Sequence, residues 1–478
     1  MEEALDRRLG RGMEYAHQSR VQGRSLFREP GNRTVAVRVN SGMDFLYSWP
    51  WVEAQVARTM DAWQACAEER LPSAQRFTRE EQRERERVYD EALAAVERET
   101  KRVRRGNGGR GRAQERITAV FAQFAATALG LPDDAIALLT DGFLPVGTGL
   151  ASWARQFDPA LSMADIVQAC RNAWTACGLQ PLLGEPLHLT PSILGYSLLY
   201  PYSDNFLDGQ TSDAAKLRFS ERFRERLQGV APAPRDDREA AVWALVALVE
   251  QEYPRAQHPQ VFASLLAIHR AQERSLRQVR CGADFPAEEL LRLSCAKGGT
   301  SVLADACLAQ AWLRPAESEF AFEWGVLLQL GDDLQDVKED RERGSMTLFS
   351  RAAARGERLD ALTIRLLHFA ERVGCAMEAL PHGSATLKTL LRMSWRSLIL
   401  MAVAESHQHF SAEFLRDAEE QSPFRFQFLR ERREKLAGRR GLYAKLFELF
   451  LAEGDKGSLP ASREPEALRV YALPADVA

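Results

Sequence analysis

The sequence of 478 residues is short of the features that mark several common classes of protein. No uninterrupted apolar stretch reaches the roughly 20 residues that a transmembrane helix needs, and the first residues, MEEALDRRLG, lack the apolar core of a signal peptide. The net charge is only −3, which excludes a globally basic chain of the kind that binds nucleic acid or an acidic membrane surface. We therefore expect a cytoplasmic protein with no transmembrane segment and no nucleic-acid partner.

The sequence also lacks the patterns that mark disulfide frameworks, zinc sites and β-strands. The seven cysteines contain no C-x-x-C pair and lack dense, even spacing, which excludes a disulfide framework, and the eight histidines are scattered. No stretch alternates apolar and polar residues for long enough to predict a strand. Leu, Ala, Glu and Arg dominate instead, all good helix formers, and the 45% of apolar residues supplies a sizeable core. We predict an all-α fold.

Helical patterns run through most of the chain. They cover residues 44–70, 78–104, 113–130, 133–155 with breaks, 163–178, 191–227, 238–252, 258–281, 286–313, 316–343, 357–380, 384–418 and 425–453. The basic, Gly- and Arg-rich loop RRGNGGRGR, residues 104–112, is a candidate boundary. We therefore predict an N-terminal helical extension that ends with this loop (1–112), a main helical domain (113–453) and a loose C-terminal tail (454–478).

The most informative segment is GVLLQLGDDLQDVKEDRERG, residues 325–344. On a continuous helix one face would carry Gln329, Asp332, Asp333, Asp336, Asp340 and Arg343. Such a row is often just a solvated surface, but carboxylates on one face repel each other by a few tenths of a kcal/mol per pair. Because this row continues an apolar helix, it predicts a bound cation, and Mg²⁺ is the hard, oxygen-preferring candidate. On the same helix, Lys338 and Arg341 would lie on other faces than the carboxylates.

A second pair of carboxylates lies in LLYPYSDNFLDGQTSD, residues 198–213. Asp204 and Asp208 are four residues apart and share a helix face with Tyr200. One D-x-x-x-D is common on surface helices, but two carboxylate rows that each follow an apolar helix predict two facing walls of one metal site. Pro201 either begins this helix or kinks it.

These motifs resemble those of class I isoprenoid synthases. Residues 329–336, Q-x-x-D-D-x-x-D, resemble the second aspartate-rich motif of trans-polyprenyl diphosphate synthases, and their extension to Gly344 resembles the second motif of squalene and phytoene synthases. Residues 202–208 are similar to the first D-x-x-x-D of the superfamily, and residues 293–308 resemble the helix that carries its diphosphate-binding lysine. The pattern is most similar to that of atypical, large bacterial terpene synthases, over roughly residues 165–350.

The resemblance implies an antiparallel helical bundle around a deep apolar cavity. It implies an Mg²⁺-dependent terpene synthase (cyclase) that ionises a linear prenyl diphosphate, releases diphosphate and converts the carbocation to a hydrocarbon or alcohol. The implied ligands of a cluster of up to about three Mg²⁺ ions are Asp204, Asp208, Asp332, Asp333, Asp336 and Asp340. The implied diphosphate ligands are Lys297, Gln329 and Arg343, and the implied cavity-lining residues are Tyr200, Phe322 and Trp324. A homodimer is expected by analogy alone.

Three alternatives stay open at this point. The D-D-x-x-D form of the second motif is compatible with chain elongation by isopentenyl diphosphate, although the first motif reads DNFLD where elongating enzymes carry D-D-x-x-D. The R-G ending at Arg343 and Gly344 suggests head-to-head condensation of two prenyl diphosphates. The alternative from another class is a catalytically inactive, prenyl-lipid-binding helical protein. Against it, a protein without catalysis has no cause to keep the mutual repulsion of the carboxylates.

Overall fold

The computed structural model describes residues 46–104, 109–208, 212–278, 282 and 284–437, but not the side chains of residues 104, 200, 204–208, 213, 277 and 436–437. All of these belong to one unit of the chain, Phe45–Ala478. The described residues form helices and no strand, which confirms the predicted all-α fold.

Eighteen α-helices follow one another along the described residues. They are α1 (Trp49–Gln64), α2 (Arg79–Arg104), α3 (Arg110–Ala128), α4 (Asp133–Ala137), α5 (Leu144–Phe157), α6 (Met163–Leu183), α7 (Pro191–Asp208), α8 (Asp213–Leu227), α9 (Asp237–Glu252), α10 (Pro259–Ser275), α11 (Ala287–Ala309), α12 (Pro315–Gln335), α13 (Val337–Arg343), α14 (Leu348–Ala354), α15 (Asp360–Glu378), α16 (Ala385–Glu405), α17 (Ala412–Glu420) and α18 (Phe426–Ala437). A π-helical turn, Leu138–Phe143, joins α4 to α5.

Side chains at the helix ends explain several of these boundaries. The backbone N–H of Thr78 donates to Glu81 Oε2 at 2.7 Å, and the N–H of Glu81 donates to Thr78 Oγ1 at 3.2 Å. This reciprocal pair is a capping box and satisfies backbone donors that the first turn of α2 leaves unpaired. Ser162 and Ser384 accept comparable N-cap hydrogen bonds at the starts of α6 and α16.

The centre of the bundle is an antiparallel pair, α11 and α12. Ser294 meets Asp333 and Gly299 meets Phe322, so residue numbers rise along one helix as they fall along the other. Helix α11 also packs on α1, α6 and α10, and α12 also packs on α15 and α16. The chain upstream of residue 112 therefore contributes to this core through α1. The predicted boundary between residues 112 and 113 falls within α3, a helix that packs on α2.

Three predicted helices are divided in the structure, and one observed helix was not predicted. Residues 316–343 form α12 and α13, which are separated at Asp336, whose φ and ψ of −93° and 12° lie outside the helical range. Residues 191–227 form α7 and α8, and residues 384–418 form α16 and most of α17. Helix α14 begins after Thr347, whose hydroxyl accepts a hydrogen bond from the N–H of Ser350. Residues 438–478, which include the end of the predicted last helix and the predicted tail, lie outside the described residues.

One described segment, Asp133–Phe157, is long and apolar enough to cross a membrane by length and composition alone. It comprises α4, the π-helical turn and α5, and α5 packs on α6. The indole Nε1–H of Trp174 on α6 donates to the carbonyl oxygen of Phe143 at 2.9 Å, which satisfies one backbone acceptor of the π-helical turn. Only 28% of its most apolar window is buried in the structure.

Candidate functional site

A cavity of about 2600 Å³ lies within the helical unit. Its wall combines one group of charged side chains with a larger apolar surface. The charged group contains Asp332, Asp336, Asp340, Lys297, Arg171 and Arg343. The apolar lining includes Phe121, Leu139, Phe143, Trp174, Leu199, Val302, Trp324, Leu327, Leu328, Leu391 and Leu398. The cavity can therefore bind a molecule that has a charged end and a long apolar body.

Five carboxylates of the α12–α13 segment border this cavity: Asp332, Asp333, Asp336, Asp340 and Glu342. Asp332 is 52% exposed, and its accessible face opens onto the cavity. Although Asp332 is half exposed to the cavity, the surrounding protein atoms partly desolvate it and Asp336 and so raise the pKa of both, and for Asp336 the neighbouring carboxylate of Asp332 adds to the rise. Burial, together with the charges of Asp333 and Asp336, raises the pKa of Asp340 to about 7. Such a group is destabilised when ionised, and a cation in the cavity would relieve it.

Asp333 differs from its three neighbours because both of its carboxylate oxygens have protein donors. Ser294 Oγ donates to Oδ2 at 2.7 Å, and Gln329 Nε2 donates to Oδ1 at 2.9 Å. The side chain is only 4% exposed, and burial raises its pKa to about 6. The bond from Ser294 connects α11 to α12, whereas the bond from Gln329 lies within α12. Metal binding by Asp333 and diphosphate binding by Gln329, both predicted from the sequence, would compete with these bonds.

Cationic side chains approach the carboxylates from two different helices. Lys297 lines the cavity from α11, and its positive charge partly offsets the rise in the pKa of Asp332 and Asp340. Arg171 on α6 places its Nη2 atom 3.4 Å from Asp332 Oδ1. Sequence reasoning missed Arg171, although Gln168, Arg171 and Thr175 recur at helical spacing along α6 and all line the cavity.

Arg343 is the last residue of α13 and also lines the cavity. It is 76% exposed, and its Nη2 atom lies 3.3 Å from Glu339 Oε2. Lys338 is 78% exposed and lies 3.9 Å from Glu342. Arg343 can turn from its exposed ion pair toward the cavity, because a surface pair of this kind contributes only about 0–1 kcal/mol.

The other predicted carboxylate row lies at the C-terminal end of α7. Asp204 and Asp208 belong to the last turns of α7, but their side chains, and that of Tyr200, lie outside the described residues. The facing carboxylate wall therefore stays a prediction.

The two aromatic residues of α12 that the sequence assigned to the cavity have different positions. Trp324 lines the cavity, and its ring lies 5.4 Å from that of Trp395. Phe322 instead packs against Trp51, with ring centroids 6.1 Å apart, and its ring contacts Gly299. The expected cavity position of Phe322 is therefore corrected. Two residues rotate a helix by about 200°, so the face that presents Trp324 to the cavity turns Phe322 toward the core.

The described carboxylates of the cavity supply only part of the ligands that a metal ion needs. Among the described side chains, no group of three or more His, Cys, Asp or Glu converges well enough to hold one. Asp332, Asp336 and Asp340 nevertheless supply the oxygen atoms that Mg²⁺ prefers. Mg²⁺ is usually held by one or two carboxylates, waters and substrate phosphates rather than by a complete protein cage. A metal ion at these carboxylates would therefore need waters or substrate phosphates as further ligands.

Comparisons with known proteins add no relative to these observations: no family model, no curated protein and no solved structure matches the chain.

Proposed function

We propose that this chain is an Mg²⁺-dependent terpene synthase of the class I isoprenoid synthase type. The observation that carries the proposal is one cavity whose wall joins Asp332, Asp336 and Asp340 to Lys297, Arg171 and a mostly apolar remainder. A prenyl diphosphate has the matching form, an anionic head on a hydrocarbon chain. A homodimer remains part of the proposal by analogy only.

The reaction would begin with the departure of diphosphate. Mg²⁺ held by Asp332, Asp336 and Asp340, with Asp204 and Asp208 from the second motif, would supply neutralisation of the diphosphate charge. Lys297, Arg171 and Arg343 would donate hydrogen bonds to the diphosphate oxygens. These donors favour the negative charge that develops as the C–O bond breaks, and are therefore stronger in the transition state than in the ground state.

The apolar part of the cavity would then control the carbocation. Its side chains exclude water and hold the chain in a folded conformation, which selects the carbons that can meet. The face of Trp324 can stabilise positive charge by about 0.5–2 kcal/mol. The product would be a hydrocarbon if the cation loses a proton, or an alcohol if it captures water.

The activity is tested directly with prenyl diphosphates of increasing chain length. We would incubate the purified full-length protein with Mg²⁺ and each diphosphate, with and without isopentenyl diphosphate, and measure diphosphate release and the mass of the products. Hydrocarbon or alcohol formed without isopentenyl diphosphate is the expected result.

Other outcomes would each contradict the proposal in a different way. Longer diphosphates formed only with isopentenyl diphosphate would identify an elongating prenyltransferase. A product with a doubled chain would identify head-to-head condensation. If no substrate released diphosphate but prenyl lipids still bound, the chain would be a binding protein that lacks catalysis.

A further inference from the structure

The connecting end of the α2–α3 hairpin carries a basic cluster that the proposed function does not use. Residues 97–116 contain eight Lys or Arg and three Glu, a net charge of +5 in a chain whose overall charge is −3. Helices α2 and α3 run antiparallel, because Arg85 donates to the carbonyl oxygen of Ala128 near one end and Arg116 donates to Glu99 near the other. The connecting end therefore gathers the described basic residues, which we call the basic tip: Arg98, Lys101, Arg102, Arg110, Arg112 and Arg116.

Ion pairs within the hairpin neutralise only part of the basic tip. Glu99 accepts hydrogen bonds from Arg102 at 3.0 Å and from Arg116 at 2.8 Å, and Lys101 lies 3.6 Å from Glu97. All the side chains of the tip except Arg116 are exposed. Clusters of about four to eight Lys or Arg bind anionic phospholipids, because each cation gains free energy from the negative surface potential. The basic tip therefore has the charge that an anionic lipid surface attracts.

The helix α3 also presents apolar residues on the face that carries Arg110. Ile117, Thr118 and Phe121 line the cavity from α3, and Phe121 is 42% exposed. Arg110 and Phe121 are eleven residues apart on this helix. They therefore lie about 16 Å apart along the helix axis and within about 20° of each other around it. One side of α3 thus carries positive charge at its start and an exposed aromatic ring farther along.

The apolar surface continues from α3 to the π-helical turn and α6. Ala125 of α3 and Leu139 of the turn belong to one apolar cluster, and the indole N–H of Trp174 on α6 donates to the carbonyl oxygen of Phe143. Leu139, Phe143 and Trp174 all line the cavity, and Trp174 is 36% exposed. Leu139 and Phe143 lie in the apolar segment Asp133–Phe157, of whose most apolar window only 28% is buried.

Together these residues form a continuous apolar surface at the opening of the cavity, which we call the apolar mouth: Phe121, Leu139, Phe143 and Trp174. Isolated exposed apolar side chains are ordinary on protein surfaces, whereas a continuous exposed patch marks a site of interaction. The mouth leads into a cavity with a largely apolar wall. Its partner is therefore expected to be a molecule with mobile apolar chains.

We propose that the basic tip and the apolar mouth together dock this protein on the surface of a bilayer that contains anionic phospholipids. Such a bilayer supplies both complements at once, because its headgroups carry negative charge and its acyl chains are apolar. An acidic protein surface would match the basic tip but would not fill a mouth that opens into a cavity. The protein would lie on the bilayer with its cavity open toward the acyl chains, so that an apolar ligand could pass between them without entering water.

Vesicle flotation without Mg²⁺ or substrate tests the docking separately from the proposed activity. Full-length protein is mixed with vesicles of phosphatidylcholine alone, or with about one third phosphatidylserine. We expect flotation with the anionic vesicles at about 0.1 M salt and loss of most of that binding at about 1 M salt, where the Debye length falls from about 10 Å to about 3 Å. Absence of binding, or equal binding to both kinds of vesicle at both salt concentrations, would overturn the proposal.

Paired arginine variants test the basic tip. The double variant Arg110→Gln, Arg112→Gln should bind anionic vesicles about 30-fold more weakly than wild type, because each basic residue near the surface contributes about fivefold. The matched control is Arg58→Gln, Arg416→Gln, which removes two exposed arginines of α1 and α17. The control should stay within about twofold of wild type. Equal weakening of the two double variants, with helicity unchanged by circular dichroism, would show that the tip has no specific role.

Two exposed tryptophans test the apolar mouth. Trp174 belongs to the mouth, whereas Trp312 is 44% exposed on the segment between α11 and α12. Phospholipids with brominated acyl chains quench the fluorescence of tryptophans that contact them. We expect quenching in wild type and in Trp312→Phe, and a loss of most of it in Trp174→Phe. Equal quenching in the two variants, or none in wild type, would overturn the docking geometry.

Two further outcomes separate this proposal from its neighbours. Salt-sensitive binding to a single-stranded RNA without binding to vesicles would assign the basic tip to nucleic acid and would overturn bilayer docking. Vesicle binding by a protein that releases no diphosphate from any prenyl substrate would support the docking and would overturn the proposed function alone.

Discussion

Gly298 on α11 and Gly325 on α12 lie against each other's backbone. A Cβ atom added to either glycine would lie less than 3.0 Å from the carbonyl oxygen of the other. Only glycine permits this approach, because any side chain would have to displace backbone. The contact lies beside Lys297 on α11 and two turns from Asp332 on α12, so it holds the helices that carry the lysine and the carboxylates close together.

We expect Gly298→Ala to destabilise the protein by about 1–3 kcal/mol, the usual range for overpacking a well-packed contact. The added Cβ would meet the backbone of Gly325, which cannot rotate away as a side chain could. Unfolding in urea, followed by circular dichroism, measures the change. Gly331→Ala on α12 is the control, because a Cβ there has no atom within 4 Å. The control should be neutral or should gain up to about 1 kcal/mol from helix propensity. Equal stability of the two variants would refute the close contact.

Asp340→Asn should stabilise the fold at neutral pH. Burial raises the pKa of Asp340 from 3.8 to about 7, so the folded state disfavours the ionised form and loses stability as pH rises between those values. Asn removes that loss. With allowance for solvent screening, the gain in the free energy of unfolding should be about 1–3 kcal/mol above the raised pKa and should vanish below the unfolded value.

Unfolding experiments at the two ends of that pH window measure the effect. Glu342→Gln, on the same helix and 65% exposed, should change the free energy of unfolding by less than about 0.5 kcal/mol at either pH. A gain for Asp340→Asn that is the same at both ends would show that the carboxylate is not the cause.

Binding of Mg²⁺ with diphosphate should release protons near neutral pH. A metal binds ionised carboxylates, so the proton on Asp340, whose pKa is about 7, competes with it. Affinity should therefore fall as pH is lowered through this value. Calorimetry in two buffers of different ionisation enthalpy counts the released protons, and Asp340→Asn should release fewer. An affinity that is independent of pH over this range would contradict the expectation.

The sequence predicted the helices better than their contacts. Most helix positions followed from apolar periodicity and from N-terminal caps such as Thr78, since these signals are local. The break at Asp336 was missed because the acidic row was phased as one straight helix. The position of Phe322 depends on which neighbour covers each face of α12, and periodicity alone does not determine that.

The polar pairs of the cavity were harder still to predict. Arg171 meets Asp332 across 161 positions of sequence, and Asn172 meets Asp305 across 133. No motif connects residues that far apart, so these contacts appear only when α6, α11 and α12 are packed together. Asp305 itself lies in the helix that resembles the lysine-bearing helix of prenyl synthases, but one aspartate among apolar residues gave no signal of a cavity.

Lys297 and Lys338 should differ sharply when each is replaced by Met. Lys297 faces the carboxylates in the cavity, whereas Lys338 is 78% exposed and pairs with Glu342 on the surface. Loss of a charged hydrogen bond to diphosphate costs about 1.5–3 kcal/mol, so Lys297→Met should lower kcat/KM roughly 10- to 150-fold. Lys338→Met should leave kcat/KM within about twofold, because a surface pair contributes little. Steady-state kinetics of diphosphate release compares the two, and equal losses would mean that neither lysine has a specific role.

The central claim is that the carboxylates of the two aspartate-rich motifs serve the release of diphosphate. The most direct measurement is Mg²⁺-dependent diphosphate release by wild-type protein and by the double variant Asp204→Ala, Asp336→Ala, with helicity checked by circular dichroism. We expect wild-type protein to release diphosphate only with Mg²⁺, and the double variant to lose at least about 1000-fold in rate, or about 4 kcal/mol of transition-state stabilisation, while its helicity is unchanged. Release by a folded double variant at the wild-type rate would contradict the claim.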